Sequence, residues 1–131
     1  MTQPRLRATS MSLSAPDPRA LAAFYSTLLG AEITASEPPS AGAPPEDGWA
    51  QLRLPEGLTL NFEYERGHVP PVWPSEPGSQ QTQAHLDVQV DDLAGAVAWA
   101  EGVGARLAEH QPQDDVRVML DPAGHPFCLF T

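Results

Sequence analysis

His85-Leu86-Asp87-Val88-Gln89-Val90-Asp91-Asp92-Leu93 reads as a strand handing over to a helix. Leu86, Val88 and Val90 alternate with His85, Asp87 and Gln89, the period-2 pattern of a half-buried strand. Asp91 or Asp92 then offers an N-cap, and Leu93 to Trp99 starts a helical apolar pattern. The apolar face of such a strand packs on the helix that follows, and the polar face, led by His85, looks at water or at a ligand. A weaker copy lies earlier. Ser10-Met11-Ser12-Leu13-Ser14 alternates in the same way, and Asp17-Pro18 opens a helix through Leu21, Phe24, Tyr25 and Leu28. Ser10 to Asp17 and His85 to Asp92 are both seven positions apart. A second echo pairs Leu54-Pro55-Glu56-Gly57-Leu58-Thr59-Leu60-Asn61-Phe62 with Asp121-Pro122-Ala123-Gly124-His125-Pro126-Phe127-Cys128-Leu129. Two ordered echoes indicate an internal duplication, and the expected fold is α+β, two copies of one βαβββ module.

The rest of the chain fills in that unit. Leu6 to Ser14 is the first expected strand, followed by a helix from Asp17 to about Leu29 that Gly30 stops. Strands follow at Ala31 to Ser36, Gly48 to Leu54 and Leu58 to Glu65, with an exposed loop over Glu37 to Asp47 and a tight turn at Glu56-Gly57. The second half repeats the order: a strand at Gln83 to Val90, a helix at Asp92 to Val103, and strands at Ala105 to Glu109, Asp114 to Leu120 and Pro126 to Phe130. Residues 1–66 form the first module, 67–82 a proline-rich linker, and 83–131 the second module. Trp73 in that linker is a plug over the core or a wall of a pocket.

Composition narrows the function classes. Acidic residues outnumber basic ones, 17 to 7, for a formal net charge of −10. That argues against nucleic acid as a partner, because phosphate binding needs clustered Lys or Arg. It suits a cationic ligand, or simply a solvated surface. No apolar run has the length of a membrane span, and no signal peptide is apparent, so no membrane partner is expected. A single cysteine excludes an internal disulfide and points to a reducing compartment, by default the cytoplasm.

The duplicated βαβββ pattern resembles the vicinal oxygen chelate superfamily, which holds glyoxalase I, extradiol dioxygenases, and bleomycin- and fosfomycin-resistance proteins. The likeness is carried by His85-Leu86-Asp87-Val88, Val90-Asp91-Asp92-Leu93 and Asp121 to Leu129. The first module supplies its counterpart in Asp17-Pro18-Arg19-Ala20-Leu21, Phe24-Tyr25 and Leu29-Gly30. The resemblance implies curled mixed sheets around a cavity with helices outside. It turns His85, Asp87 and Gln89, with Ser10, Ser12, Ser14, Thr59, Asn61 and Glu63, toward that cavity. Metal-dependent members place ligands on the first and last strands of each module, and the echoes map those positions to Ser10, His85, Asn61 and Cys128. Only His85 is of the usual type. Ser and Asn are weak neutral ligands, and Cys favours softer ions such as zinc. A slip of two residues keeps the same face and brings in Glu63 or Asp87. A metal set would then be His85–Glu63–Cys128 or His85–Glu63–Asp87.

The expected function is therefore metal-independent binding of a small molecule, like bleomycin-resistance sequestration, with no cofactor. Trp49, Trp73, Phe130 and Tyr25 offer stacking surface. Arg117, alternating with Val116 and Val118, is expected to face away from the core, as an ordinary surface arginine or a partner for an anionic ligand. Cys128 reads as a small buried hydrophobe. His125 reads as an exposed turn residue, while His68 and His110 have no assigned role. The alternative is a lyase, isomerase or dioxygenase of the same superfamily, using one divalent metal ion or, without it, Glu63 or His85 as general base. A homodimer is the expected assembly.

Overall fold

The computed structural model describes residues 2–131, and its two halves repeat one element order. The first half holds β1 (Ser10–Ala15), α1 (Pro18–Leu29), β2 (Ile33–Glu37), β3 (Trp49–Arg53) and β4 (Thr59–Tyr64). The second holds β5 (Asp87–Gln89), α2 (Leu93–Gly102), β6 (Arg106–Leu107), β7 (Val116–Leu120) and β8 (Pro126–Phe130). Each half folds into a four-stranded mixed sheet, in the orders β1-β4-β3-β2 and β5-β8-β7-β6. The first and last strand of each module run parallel, and the other pairs are antiparallel. The βαβββ duplication is thus present, as two open sheets and not a closed barrel.

Local chemistry sets the helix ends. Asp17 caps α1, its Oδ1 accepting from the Ala20 amide at 3.1 Å, and Pro18 follows at the first helical position. Gly30 ends the helix in the left-handed region at φ 64°. In the second module the cap is Asp92, whose Oδ1 accepts from the Gly95 amide at 3.0 Å; Asp91 plays no such part.

Several strands are shorter than the pattern predicts. The expected start of β1 at Leu6 moves to Ser10, because residues 6–9 lie before the first partner position on β4. The largest change is β5, expected from Gln83 and found only at Asp87–Gln89. The ladder itself explains it. The Cys128 amide donates to the Leu86 carbonyl at 2.9 Å, so the next donor back along β8 falls at Pro126, which has no N–H. The Ala84 carbonyl is taken instead by the Thr82 hydroxyl at 2.9 Å. His85 consequently sits just outside the strand that positions it.

One apolar core spans both halves. In the first sheet Ala50, Leu52, Leu60 and Phe62 are buried against α1, and in the second Met119, Phe127 and Leu129 are buried. α1 reaches across the module boundary. Phe24 and Tyr25 lie edge-on to Phe127 at ring-centroid distances of 6.2 and 5.9 Å, and Tyr25 also stacks on Phe62 at 5.8 Å. α2 buries only Ala100 and ties to α1 through the Trp99 indole, which donates to the Leu28 carbonyl at 3.1 Å. Among the described residues no helix is long and apolar enough to cross a membrane.

Candidate functional site

The side chains singled out in the sequence fall on two sheet faces, both turned away from the helices. On the first sheet, cross-strand pairing aligns Ser12 with Asn61, Ser14 with Glu63, Asn61 with Gln51, and Glu63 with Trp49. Paired residues point to the same side, so Ser10, Ser12, Trp49, Gln51, Asn61 and Glu63 share one polar face. Its centre is internally satisfied. Gln51 Nε2 donates to Asn61 Oδ1 at 3.0 Å, and the Thr34 hydroxyl reaches Gln51 Oε1 at 3.3 Å.

On the second sheet the parallel register sets Asp87 opposite Cys128 and Gln89 opposite Phe130. His85, two residues before Asp87, lies on the same side, with its Nε2 3.1 Å from Asp87 Oδ1. His85, Asp87, Cys128 and Phe130, with Gln113, Asp115, Val116 and Thr131, line a recess of about 400 Å³. Cys128 is half-buried on the recess wall, not sealed in the core as its apolar neighbours suggested, because Phe127 and Leu129 take the core-facing positions on either side. Burial pushes the Cys128 thiol pKa up, and the nearby Asp87 carboxylate adds to the rise.

The four family metal positions carry donors that suit a hard divalent ion poorly. Asn61 Oδ1 is engaged by Gln51, Ser10 pairs only with its neighbour Thr9, and a thiol at Cys128 is a poor donor to magnesium or manganese. Neither trio containing Glu63 assembles. Among the described residues the single convergent group of His, Cys and acidic side chains is His85, Asp87 and Cys128, and Glu63 stays on the first sheet.

Other expected site residues are placed differently from their sequence reading. Arg117 pairs in register with Leu129, on the core side of the second sheet and not the recess side. β7 carries apolar residues on both faces, with Val118 and Met119 both buried, so alternation alone could not orient it. Its Nη1 donates to the carbonyls of Gln113, Asp114 and Val116 at 2.8–3.1 Å, a structural clamp on the turn before β7. Trp73 is half-buried, donates to the His110 carbonyl at 3.1 Å, and does not line the His85 recess. His125 is half-buried and its Nε2 donates to the Ser14 carbonyl at 2.7 Å; His68 does the same to the Ala123 carbonyl at 2.7 Å. Both histidines tie the β7–β8 turn to the first module and the linker.

The sequence reading missed the buried pair Tyr25–Asp121. The Tyr25 hydroxyl donates to Asp121 Oδ2 at 2.7 Å, and Asp121 Oδ1 accepts from the Ala123 and His125 amides at 2.9 Å each. Burial raises both pKa values; the hydroxyl, the neighbouring His125 and the two amides partly offset the rise at Asp121. The Asp-Pro-Ala-Gly turn is the one local signal for it, since an aspartate there accepts amides from its own turn.

The repeated βαβββ unit and its helix-free faces define a vicinal oxygen chelate fold. Within that superfamily the chain belongs to the glyoxalase-like domain family, which matches residues 10–130. Solved structures agree on the fold. A glyoxalase family protein from Enterococcus faecalis superposes with a TM-score of 0.68 at 19% identity, over 95% of this chain and 97% of that one. A variant of the fosfomycin resistance protein FosX from Listeria monocytogenes, complexed with Mn(II) and dihydroxypropylphosphonic acid, gives 0.71 at 14% identity, over 95% and 90%. TnmS3, an antibiotic-binding protein from a Streptomyces species, gives 0.59 at 16% identity, over 98% of both chains. No curated protein matches the chain.

Proposed function

We propose that this protein binds a small cationic molecule without the help of a metal ion, as a sequestering protein. The observation that carries the reading is the Gln51–Asn61 hydrogen bond at 3.0 Å, which leaves a metal position of the family neutral and occupied. Charge points the same way. Asp87 and Asp115 border the recess beside Phe130, and the whole chain carries a formal net charge of −10. A carboxylate pair next to an aromatic ring is a recognition surface for an amine-bearing ring compound. Antibiotic binding by the similarly folded TnmS3 supports sequestration as a role for this architecture.

The test is a thermal-shift and calorimetric screen in the presence of EDTA, using cationic, neutral and anionic aromatic compounds. Cationic compounds are expected to raise the melting temperature, and Asp87→Asn to abolish the rise. A ligand seen only after metal is restored refutes the reading. A second reading, a lyase, isomerase or dioxygenase, is favoured by one contact: Asp87 orients the His85 imidazole at 3.1 Å, as a carboxylate orients a general base. Turnover that survives EDTA and is lost in His85→Ala would establish it. We further propose a homodimer in a reducing compartment. Within one chain Ser10, Ser12, Asn61, Glu63 and Trp49 lie on a different sheet from His85, Asp87, Cys128 and Phe130, and a second copy is a means of apposing them. Light scattering on the purified protein checks the assembly.

A further inference from the structure

β1 is an outer strand of the first sheet, and its free edge borders a cavity of about 390 Å³ that shares no residue with the His85 recess. We propose that this cavity binds the amino-terminal end of a short extended peptide, which pairs with β1 as an added strand. The register decides which backbone groups are free. The Glu65 amide donates to the Ala15 carbonyl at 2.9 Å, so Ala15 turns its backbone polar groups toward β4. Alternation turns those of Leu13 and Met11 the same way, and those of Ser12 and Ser14 outward, toward the cavity. The Ser14 carbonyl accordingly accepts from His125 Nε2 at 2.7 Å. Among the described residues nothing takes the N–H or the C=O of Ser12.

A free donor and a free acceptor on one strand residue are what one residue of an antiparallel partner satisfies, by exchanging both hydrogen bonds. The ends of the cavity set the direction. His125 blocks the ladder at Ser14, so at that end an added strand has room for one residue beyond the Ser12 pair. Glu65 lies at the same end, because it follows Tyr64, the partner of Ala15. It is the one carboxylate on the cavity wall, and among the described residues no lysine or arginine lines the space. Its Oε1 accepts from the Gly67 amide at 3.0 Å, which holds the carboxylate in place and leaves the second oxygen for a ligand. A carboxylate beside a blocked ladder favours an ammonium group. The first residue of the peptide therefore falls opposite Leu13 and the second opposite Ser12. Residues 80–84 form the facing wall, where glutamine side-chain amides meet the peptide groups that turn away from β1. The volume is at the low end of small-ligand sites, about 300–1,000 Å³, and suits a di- or tripeptide.

The peptide site does not rest on the sequestration proposal. Asp87, Asp115 and Phe130 lie around the second sheet, and none of them borders this cavity. Each site is measured without the other.

The experiment uses the full chain and the tripeptide amide Ala-Leu-Ala-NH2, which has a free amino terminus and no other charge. Binding is followed by calorimetry and by the backbone amide resonances of Ser12 and residues 80–84. The expected result is one peptide per chain with a shifted Ser12 resonance. Acetylating the amino terminus, or methylating the leucine amide that donates to the Ser12 carbonyl, should each weaken binding about tenfold. Glu65→Gln should weaken the free-amine peptide about tenfold and leave the acetylated one unchanged, a coupling that a purely structural role does not produce. Ser12→Pro removes an edge N–H that faces no strand, so the sheet keeps its ladder, and should weaken binding about tenfold; dichroism and melting verify the fold of each variant. Asp87→Asn, in the other recess, should leave peptide affinity unchanged. No binding at millimolar peptide, or equal binding of the acetylated form, overturns the site. Loss of self-association in Ser12→Pro, measured by light scattering, also overturns it, since a second copy would then occupy the edge.

Discussion

Replacing Tyr25 by Phe isolates one hydrogen bond that crosses between the modules. Tyr25 is 1% exposed, and its ring packs against Phe24, Phe62 and Phe127 at centroid distances of 4.9, 5.8 and 5.9 Å. Phe keeps all of that packing and removes only the donor to Asp121 Oδ2. A hydrogen bond to a charged group contributes about 1.5–3 kcal/mol, and Asp121 retains two amide donors on its other oxygen. The expected loss is therefore about 2 kcal/mol. For a chain of this length, that is a fall in melting temperature of roughly 6–10 °C. The deficit depends on pH in a defined direction. Burial raises the Asp121 pKa and the Tyr25 hydroxyl pulls it down, so the variant's folded-state pKa rises further. A carboxyl with a raised folded pKa contributes stability that is full below its unfolded value, near 4, and lost as pH rises through the folded value. Tyr25→Phe should thus cost little at about pH 4 and its full amount at pH 8. Urea unfolding of both proteins at the two pH values measures this. A deficit below about 0.5 kcal/mol at pH 8, or one equal at both, would refute the assignment of Asp121 as a buried carboxylate held by Tyr25.

Asp87→Asn removes the charge that helps raise the Cys128 thiol pKa, and should move the pH profile of thiol alkylation to lower pH; burial, the larger cause, keeps it from returning fully to the ordinary value. An unchanged profile would mean that Asp87 does not act on the sulfur. Asp92→Ala deletes the α2 cap and should cost about 1 kcal/mol, with Asp91→Ala near neutral as the control in the same melting assay. Gly124 adopts φ 87°, and a Cβ there would lie 2.7 Å from Pro70 Cβ. Gly124→Ala should destabilise the protein by about 1–3 kcal/mol and expose the linker around Pro70 to proteolysis, because the new methyl must push that segment off the turn.

Much of the architecture was legible in the chain because it is local. Asp17-Pro18 and Gly30 mark a helix by chemistry that acts within a turn, and the alternation Leu60, Phe62 against Asn61, Glu63 names a buried face wherever the strand ends up. The repeated spacing exposed the duplication for the same reason. Facing failed where both sides of a strand are apolar. Val116, Val118 and Met119 leave Arg117 no polar side to reveal, and only its register with Leu129 orients it.

What the tertiary structure alone decided are contacts between residues far apart in sequence. Asp87 meets Cys128 because β5 and β8 run parallel in one particular register, and a slip of one residue would turn either side chain to the opposite face. Tyr25 reaches Asp121 across 96 positions because α1 presents its aromatic face to the second module. β5 starts late because its partner begins with a proline, a property of the neighbouring strand and not of its own residues. Periodicity and capping report what a residue prefers among its nearest neighbours. Which donor faces which acceptor is set by the packing of the whole chain.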